Sequence, residues 1–289
     1  MIDYNPKVWF TFIFRLHKGD TVRKLSPMFV GLSIYSAAIA YLELGLLHLS
    51  KDSELKNLIV IHTLLGFVIS MLLVFRTNTA YDRWWEGRKQ WGSLVNNSRN
   101  LAIKLHAMLP VSNKASREYF RLMIPNYAFS LKNHLRMNFI GGELETVDGF
   151  KIDNSKHVPN QIAADLLAHT HELYRQQQIS GEQLLSINHE LESFTNICGA
   201  CERIRNTPIP FSYSVFIKKF IFFYVMTLPI GYVFTVGYLI IPVVVFVFYV
   251  LASLELIAEE IEDPFGFDAN DLPTDTISAN IRKHVAEIL

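Results

Sequence analysis

"VFRTNTAYDRWWEGRKQWG", Val74 to Gly92, is the stretch in which the chain changes solvent. No Asp, Glu, Lys or Arg occurs between Lys56 and Arg76. Then Arg76, Arg83, Arg88 and Lys89 arrive together with Tyr81, Trp84, Trp85 and Trp91. A helix leaving a bilayer has this composition, apolar inside, aromatic at the headgroups or the first packed layer, basic beyond. No Gly or Pro interrupts Val68 to Tyr81, so the helix is expected to continue into the aqueous phase, its arginines facing the cytoplasm.

Two other apolar stretches flank it in the chain. Leu25 to Leu42 carries no charged side chain, and Phe220 to Leu254 carries none in 35 residues. A crossing takes roughly 20 apolar residues. The third stretch is too long for one crossing, reaching roughly 52 Å as one helix against a core of about 30 Å. Pro229, Gly231, Gly237 and Pro242 offer places to break it, so it reads as a hairpin of helices, Ser212 to Tyr232 and Gly237 to Ala258. Four crossings follow. Basic residues collect before the first (Arg15, Lys18, Arg23, Lys24), after the second, and before the third (Lys218, Lys219). In the first loop Lys51 and Lys56 are balanced by Asp52 and Glu54. That bias puts both termini and the middle region in the cytoplasm. The N-terminal "MIDYNPKVWFTFIFRLHKGDTVRK" is amphipathic and shows no cleavage site.

Composition agrees with a protein partly in lipid and partly in water. Half of the residues are hydrophobic, yet 27 basic and 27 acidic side chains cancel. No global charge attracts nucleic acid. Two cysteines cannot build a disulfide framework.

The organisation expected is residues 1–79 with an amphipathic segment and two membrane helices, 80–211 as a helical cytosolic region, 212–258 with two further membrane helices, and 259–289 as an acidic cytosolic tail. The cytosolic region shows helical periodicity and no alternating strand pattern. Asn160 is the expected N-cap of one helix. Ser180 is that of another, with Glu182 and Gln183 in its first turn. The fold class is all-α.

Enzyme motifs are lacking. "HTHEL" at His169 to Leu173 does not complete a metal-binding H-E-x-x-H, because no second His follows at the right place before Gln176. "CGAC" at Cys198 to Cys201 matches C-x-x-C without a strand-to-helix context or further zinc ligands. Close helix packing by small residues is its better account. A membrane-bound redox enzyme using these cysteines stays as a third reading. A scaffold or signalling module whose cytosolic helices dock a partner stays as a second.

Three separated motifs carry a family likeness: "FRTNTAYDRWWEGRKQWG" from Phe75, "CERIRNTPIPFSYSVFIKKFIFFYVMTLP" from Cys201, and "AEEIEDPFGFDANDLP" from Ala258 to Pro273. In this order, across nearly the whole chain, they resemble the bestrophin family in its bacterial branch. The resemblance implies a homopentameric, passive ion channel of the inner membrane, four membrane helices per subunit around one axial pore, with monovalent ions permeating.

It further implies a neck of three apolar residues spaced by four on the second helix. Eight residues before the Arg of "RWW" is Phe75, and the other two are Met71 and Phe67. Independently, residues at i, i+4 and i+8 share one helix face, and five copies would stack three apolar rings that gate by dewetting. The same stripe could instead face lipid or another helix. Met71 replaces the more usual Ile or Phe with a flexible thioether. The family's cytosolic exit constriction falls on Glu182, sixteen residues before Cys198, with Gln183 the neighbouring choice. Five carboxylates would favour cations, although eukaryotic relatives are chloride channels. Alternatively Glu182 is a first-turn acid outside the pore. Finally, the positions that clasp Ca²⁺ in calcium-gated relatives correspond to Glu260, Asp263, Asp268 and Asp271. All are carboxylates, as Ca²⁺ prefers, but Phe267, Ala269 and Asn270 interrupt the run and no EF-hand spacing exists. A surface turn with capping acids is the competing account, and no cofactor is otherwise implied.

Overall fold

The structure is a computed structural model that describes residues 21–49, 54–138 and 141–289. The N-terminal amphipathic segment with Arg15 and Lys18, and Lys51 and Asp52 of the first loop, lie outside the described residues. Among the described residues there is no strand. The described residues form eight α-helices in order: α1 Thr21–Tyr41, α2 Leu58–Met108, α3 Lys114–Leu135, α4 Val158–Arg175, α5 Gly181–Asn206, α6 Phe211–Val236, α7 Ile240–Glu262 and α8 Thr274–Ile288. The chain divides into two compact units. One holds residues up to Arg83 with Pro208–Glu262 and Asp268–Asn270. The other holds Trp84–Thr207, Asp263–Phe267 and Asp271–Leu289. Helix α2 is unbroken over its 51 residues, and so continues through Val68 to Tyr81, where no Gly or Pro occurs.

Among the described residues, three segments are long and apolar enough to cross a membrane: Thr21–Leu46, Leu58–Met108 and Phe211–Glu262. The last is not straight. Lys218 Nζ lies 2.9 Å from Glu259 Oε2, although 41 residues separate them. A continuous helix would hold them roughly 60 Å apart at 1.5 Å per residue. The chain therefore folds back between α6 and α7, through a 3₁₀ turn at Gly237–Leu239. Gly237 takes φ +58°, a conformation that a side chain disfavours. The break is at Gly237; Pro229 is accommodated inside α6.

Helix α6 runs antiparallel to the start of α2. Tyr213 Oη donates to the Leu72 carbonyl at 3.2 Å, and His62 Nε2 lies 2.8 Å from Thr227 Oγ1. At Gly231 a Cβ would come 3.2 Å from Leu58 Cβ, so a side chain there would need α2 to give by a few tenths of an ångström. Helix α1 meets α7 through Thr21 Oγ1 and Ser253 Oγ at 2.7 Å and through edge-to-face Phe29–Phe248 rings. Leu25, Ile69, Leu73, Ile221, Val225 and Val244 belong to the shared apolar core.

The second unit packs α3 against α8, α4 and α5. Its core includes Trp91, Phe120, Tyr127, Phe194 and Phe265. Trp91 is thus a buried anchor of this core, the packed-layer alternative to a headgroup position. Trp84 and Trp85 stack with centroids 6.5 Å apart. Buried Lys132 is held by Glu143 at 2.7 Å and Asp275 at 2.9 Å.

The cap of α5 is Ser180, with a reciprocal capping box to Gln183, as the sequence implies. The cap of α4 is His157 rather than the expected Asn160. Val158 and Pro159 fit the first turn, where proline's missing N–H costs nothing. The Asn160 amide then donates to His157 Nδ1 at 3.2 Å.

Candidate functional site

The site begins with the two faces of α2. Ile69 and Leu73 are 1% and 2% exposed, packed in the first unit's core. Met71 stands two residues from each, about 200° round the helix. Phe67, Met71 and Phe75 are 64%, 45% and 58% exposed, so the described residues leave this stripe largely uncovered. Phe, Met and Phe in one line therefore offer an apolar surface that the described residues leave largely uncovered.

At the next turn, Arg76 corrects a sequence expectation. It does not face the cytoplasm but is 1% exposed. It lies on the buried face with Ile69 and Leu73. Its Nη2 is 2.7 Å from Glu262 Oε2 and its Nε 3.4 Å from Glu255 Oε2, both on α7. Glu262 also accepts the Ile209 amide at 2.6 Å, and its carbonyl accepts Arg83 Nε at 3.0 Å. Burying a charge is expensive unless it is paired, and these carboxylates supply the partners. Sequence reading missed this network because the acids lie 179 and 186 positions downstream. The signal was an arginine seven residues after the buried Ile69, on the same helix face.

Glu182 lies exposed on the first turn of α5. Ser180 Oγ donates to its carboxylate at 2.6 Å and holds its pKa below the ordinary value. Gln183 is occupied by the capping box, its Oε1 accepting from the Ser180 amide at 2.9 Å. Leu185 and His189, three and seven positions on, continue the exposed face.

The four acidic positions have different environments. Glu260 is buried, 2.6 Å from both Lys24 Nζ and Asn270 Nδ2. Asp263 and Asp268 are exposed, and Asp271 is buried. Glu260 and Asp268 belong to the first unit, Asp263 and Asp271 to the second. Among the described residues, the one group of three or more His, Cys, Asp or Glu with donor atoms within 4.8 Å of one another lies elsewhere, at His134, His157 and Glu202.

Cys198 and Cys201 are free thiols buried in the second unit's core. Burial and the Glu202 charge push Cys198 up to about 12, and burial raises Cys201 likewise. Protonated, enclosed thiols are poor nucleophiles, which agrees with a packing role for "CGAC".

A membrane protein with this helical layout, and no enzyme motif, has known counterparts. The family model "Bacterial/Fungal Bestrophin protein" matches residues 1–287. The chain belongs to the bacterial/fungal bestrophin family, a family of ion channels rather than enzymes. It is 37% identical over 231 residues to a voltage-dependent anion channel-forming protein of Nostoc sp., covering 77% of this chain and 75% of that one. It is 32% identical over 273 residues to the voltage-dependent anion channel-forming protein YneE of Escherichia coli, covering 93% and 88%. A crystal structure of a bacterial bestrophin homologue from Klebsiella pneumoniae, carrying a D269A mutation, superposes with a TM-score of 0.83 at 25% identity, covering 92% of this chain and 98% of that one.

Proposed function

We propose that this chain forms a passive ion channel, a homopentamer whose subunits bring Phe67, Met71 and Phe75 to a common axis in the inner membrane. Each subunit crosses the bilayer four times with both termini cytoplasmic. The observation that carries the reading is the division of α2 into one buried face and one uncovered apolar stripe. An uncovered stripe of large side chains is unfavourable in water unless lipid or other copies cover it. Five copies around an axis would cover its flanks and leave stacked rings that hold water poorly, a hydrophobic gate.

Glu182 is the exit ring, and it leans the channel toward monovalent cations. Its carboxyl is held in the charged form by Ser180, and Gln183 is used in the cap, which favours Glu182 over its neighbour. A second reading, anion conduction, draws on the printed names of the relatives. Calcium forms no part of the proposal, because Glu260 already has Lys24 and Asn270 as partners.

Purified protein in planar bilayers tests both levels. Current through the protein, raised by Phe75→Ala, is expected. No current in any preparation would leave the scaffold reading instead. Reversal potential in asymmetric KCl reads ion choice, and a chloride preference unchanged by Glu182→Ala would remove the cation assignment. Particle images give the symmetry order directly.

A further inference from the structure

His134, His157 and Glu202 come from three different elements of the second unit. His134 is in the last turn of α3, His157 caps α4, and Glu202 lies near the end of α5. Both His134 Nε2 and His157 Nε2 lie 2.7 Å from one atom, Glu202 Oε1. The two rings are 4.2 Å apart between centroids. The side chains are 28%, 29% and 31% exposed, half-buried and open to solvent on one side.

We propose that these three side chains form a binding site for a Zn²⁺-type divalent cation, with water completing the coordination. Two imidazoles and one carboxylate are an established donor set for four-coordinate zinc with an open position. With metal–ligand bonds of about 2.0–2.2 Å, tetrahedral donors stand roughly 3.3 Å apart. The two nitrogen–oxygen distances must therefore each open by about 0.6 Å, within reach of small side-chain rotations. The ion takes the place of the two protons that now bridge the histidines to Glu202.

The proton count is explicit at His157. Its Nδ1 accepts from the Asn160 amide, so its proton stands on Nε2 and is donated to Glu202. A metal on Nε2 moves that proton to Nδ1, which then no longer accepts from Asn160. Ion binding therefore loosens the first turn of α4. At His134, burial holds the imidazole below its ordinary range, leaving it neutral as a ligand must be. At Glu202, burial pushes the carboxyl up, but the bonds from His157 and His134 outweigh it and keep it anionic. Arg205 lies near enough to act against a cation and donates to the His134 carbonyl at 3.3 Å. The Glu202 charge opposes that repulsion. Cys198, one turn before Glu202, is not within the donor group.

The test uses the full-length protein in detergent with Zn²⁺ alone, competed against a chromophoric chelator, and Co²⁺ as a spectroscopic substitute. One ion per chain is expected, with the intense visible bands of four-coordinate Co²⁺. Glu202→Gln and His157→Asn should each weaken binding by about 100-fold or more and abolish those bands. His189→Asn, at an exposed position, should change neither. Circular dichroism and size-exclusion profiles matching the parent protein show that the variants are folded. Binding that survives both substitutions, Co²⁺ bands typical only of six-coordinate ions, or no stoichiometric binding to the parent protein would overturn the assignment.

Discussion

The Arg76 guanidinium Nη2 sits 2.7 Å from Glu262 Oε2, joining the middle of α2 to the end of α7. Arg76 is 1% exposed and Glu262 13%, so neither charge has ready access to water. Both ends of α2's buried face are thereby set: apolar side chains above, an ion pair below. This pair fixes how α2 rotates about its axis, and so which residues form its uncovered stripe.

Removing one member of the pair strands the other. Arg76→Met should cost about 3–5 kcal/mol, the range for breaking a buried pair. Glu262→Gln should cost less, since Ile209 can still donate to the amide oxygen. The double variant should recover stability relative to Arg76→Met, because no unpaired carboxylate at position 262 remains. Thermal unfolding in one detergent measures all three. If the double variant loses the sum of the two single losses, the pairing is not what holds these helices.

The two faces of α2 should respond differently to truncation. Leu73→Ala removes a side chain that is 2% exposed and should destabilise by about 2–5 kcal/mol. Phe75→Ala removes one that is 58% exposed and should leave the subunit's melting within about 1 kcal/mol, while raising open probability or leak current in bilayers. Equal destabilisation by both would mean that Phe75 packs like a core residue.

The long apolar helices were legible in the sequence because uncharged runs are local. The turn at Gly237 was legible for the same reason: 35 uncharged residues exceed one crossing. The α5 cap was legible because Ser180 and Gln183 are three residues apart. What could not be read was anything joining distant positions. Arg76 was read as a water-facing charge because Glu255 and Glu262 are nowhere near it in the chain. His157 replaced Asn160 as a cap because a histidine's ring nitrogen can accept the same amide hydrogen bond, an unusual use of the residue. His134, His157 and Glu202 carry no motif spacing at all; only the packing of three helices brings them together. For the stripe at Phe67, Met71 and Phe75, periodicity gave one face, and the family likeness chose which.

Cysteine chemistry gives a pH-dependent outcome. Burial, with Glu202 nearby, raises Cys198 to about 12. A thiol raised above its unfolded value of about 8.5 contributes stability below that pH, and loses it as pH rises through the folded value. Native protein should therefore react slowly with iodoacetamide at pH 8, with rapid labelling of both cysteines only after unfolding. Stability should begin to fall above about pH 9, and less so in Cys198→Ala. Fast labelling of the folded protein at pH 8 would contradict enclosed, protonated thiols.

Glu182 and Ser180 give the last test, and it joins the cap of α5 to ion choice. The Ser180 hydroxyl donates to the carboxylate at 2.6 Å and lowers its pKa. A carboxyl lowered in the folded state makes its contribution above its ordinary value, and that contribution disappears as pH falls through the lower one. Cation preference carried by Glu182 should thus be flat from pH 8 down to about 5, since an unperturbed Glu titrates near 4.3. Ser180→Ala removes the hydroxyl, so the preference should begin to fail at a higher pH than in the parent channel. The same change removes a capping side chain and should cost α5 about 0.5–2 kcal/mol. Ser180→Thr keeps a hydroxyl at the cap and should restore both. Reversal potentials across a pH series, beside melting curves, separate the effects: a selectivity profile identical in Ser180→Ala and the parent, with stability lowered, would place Glu182 away from the ion path.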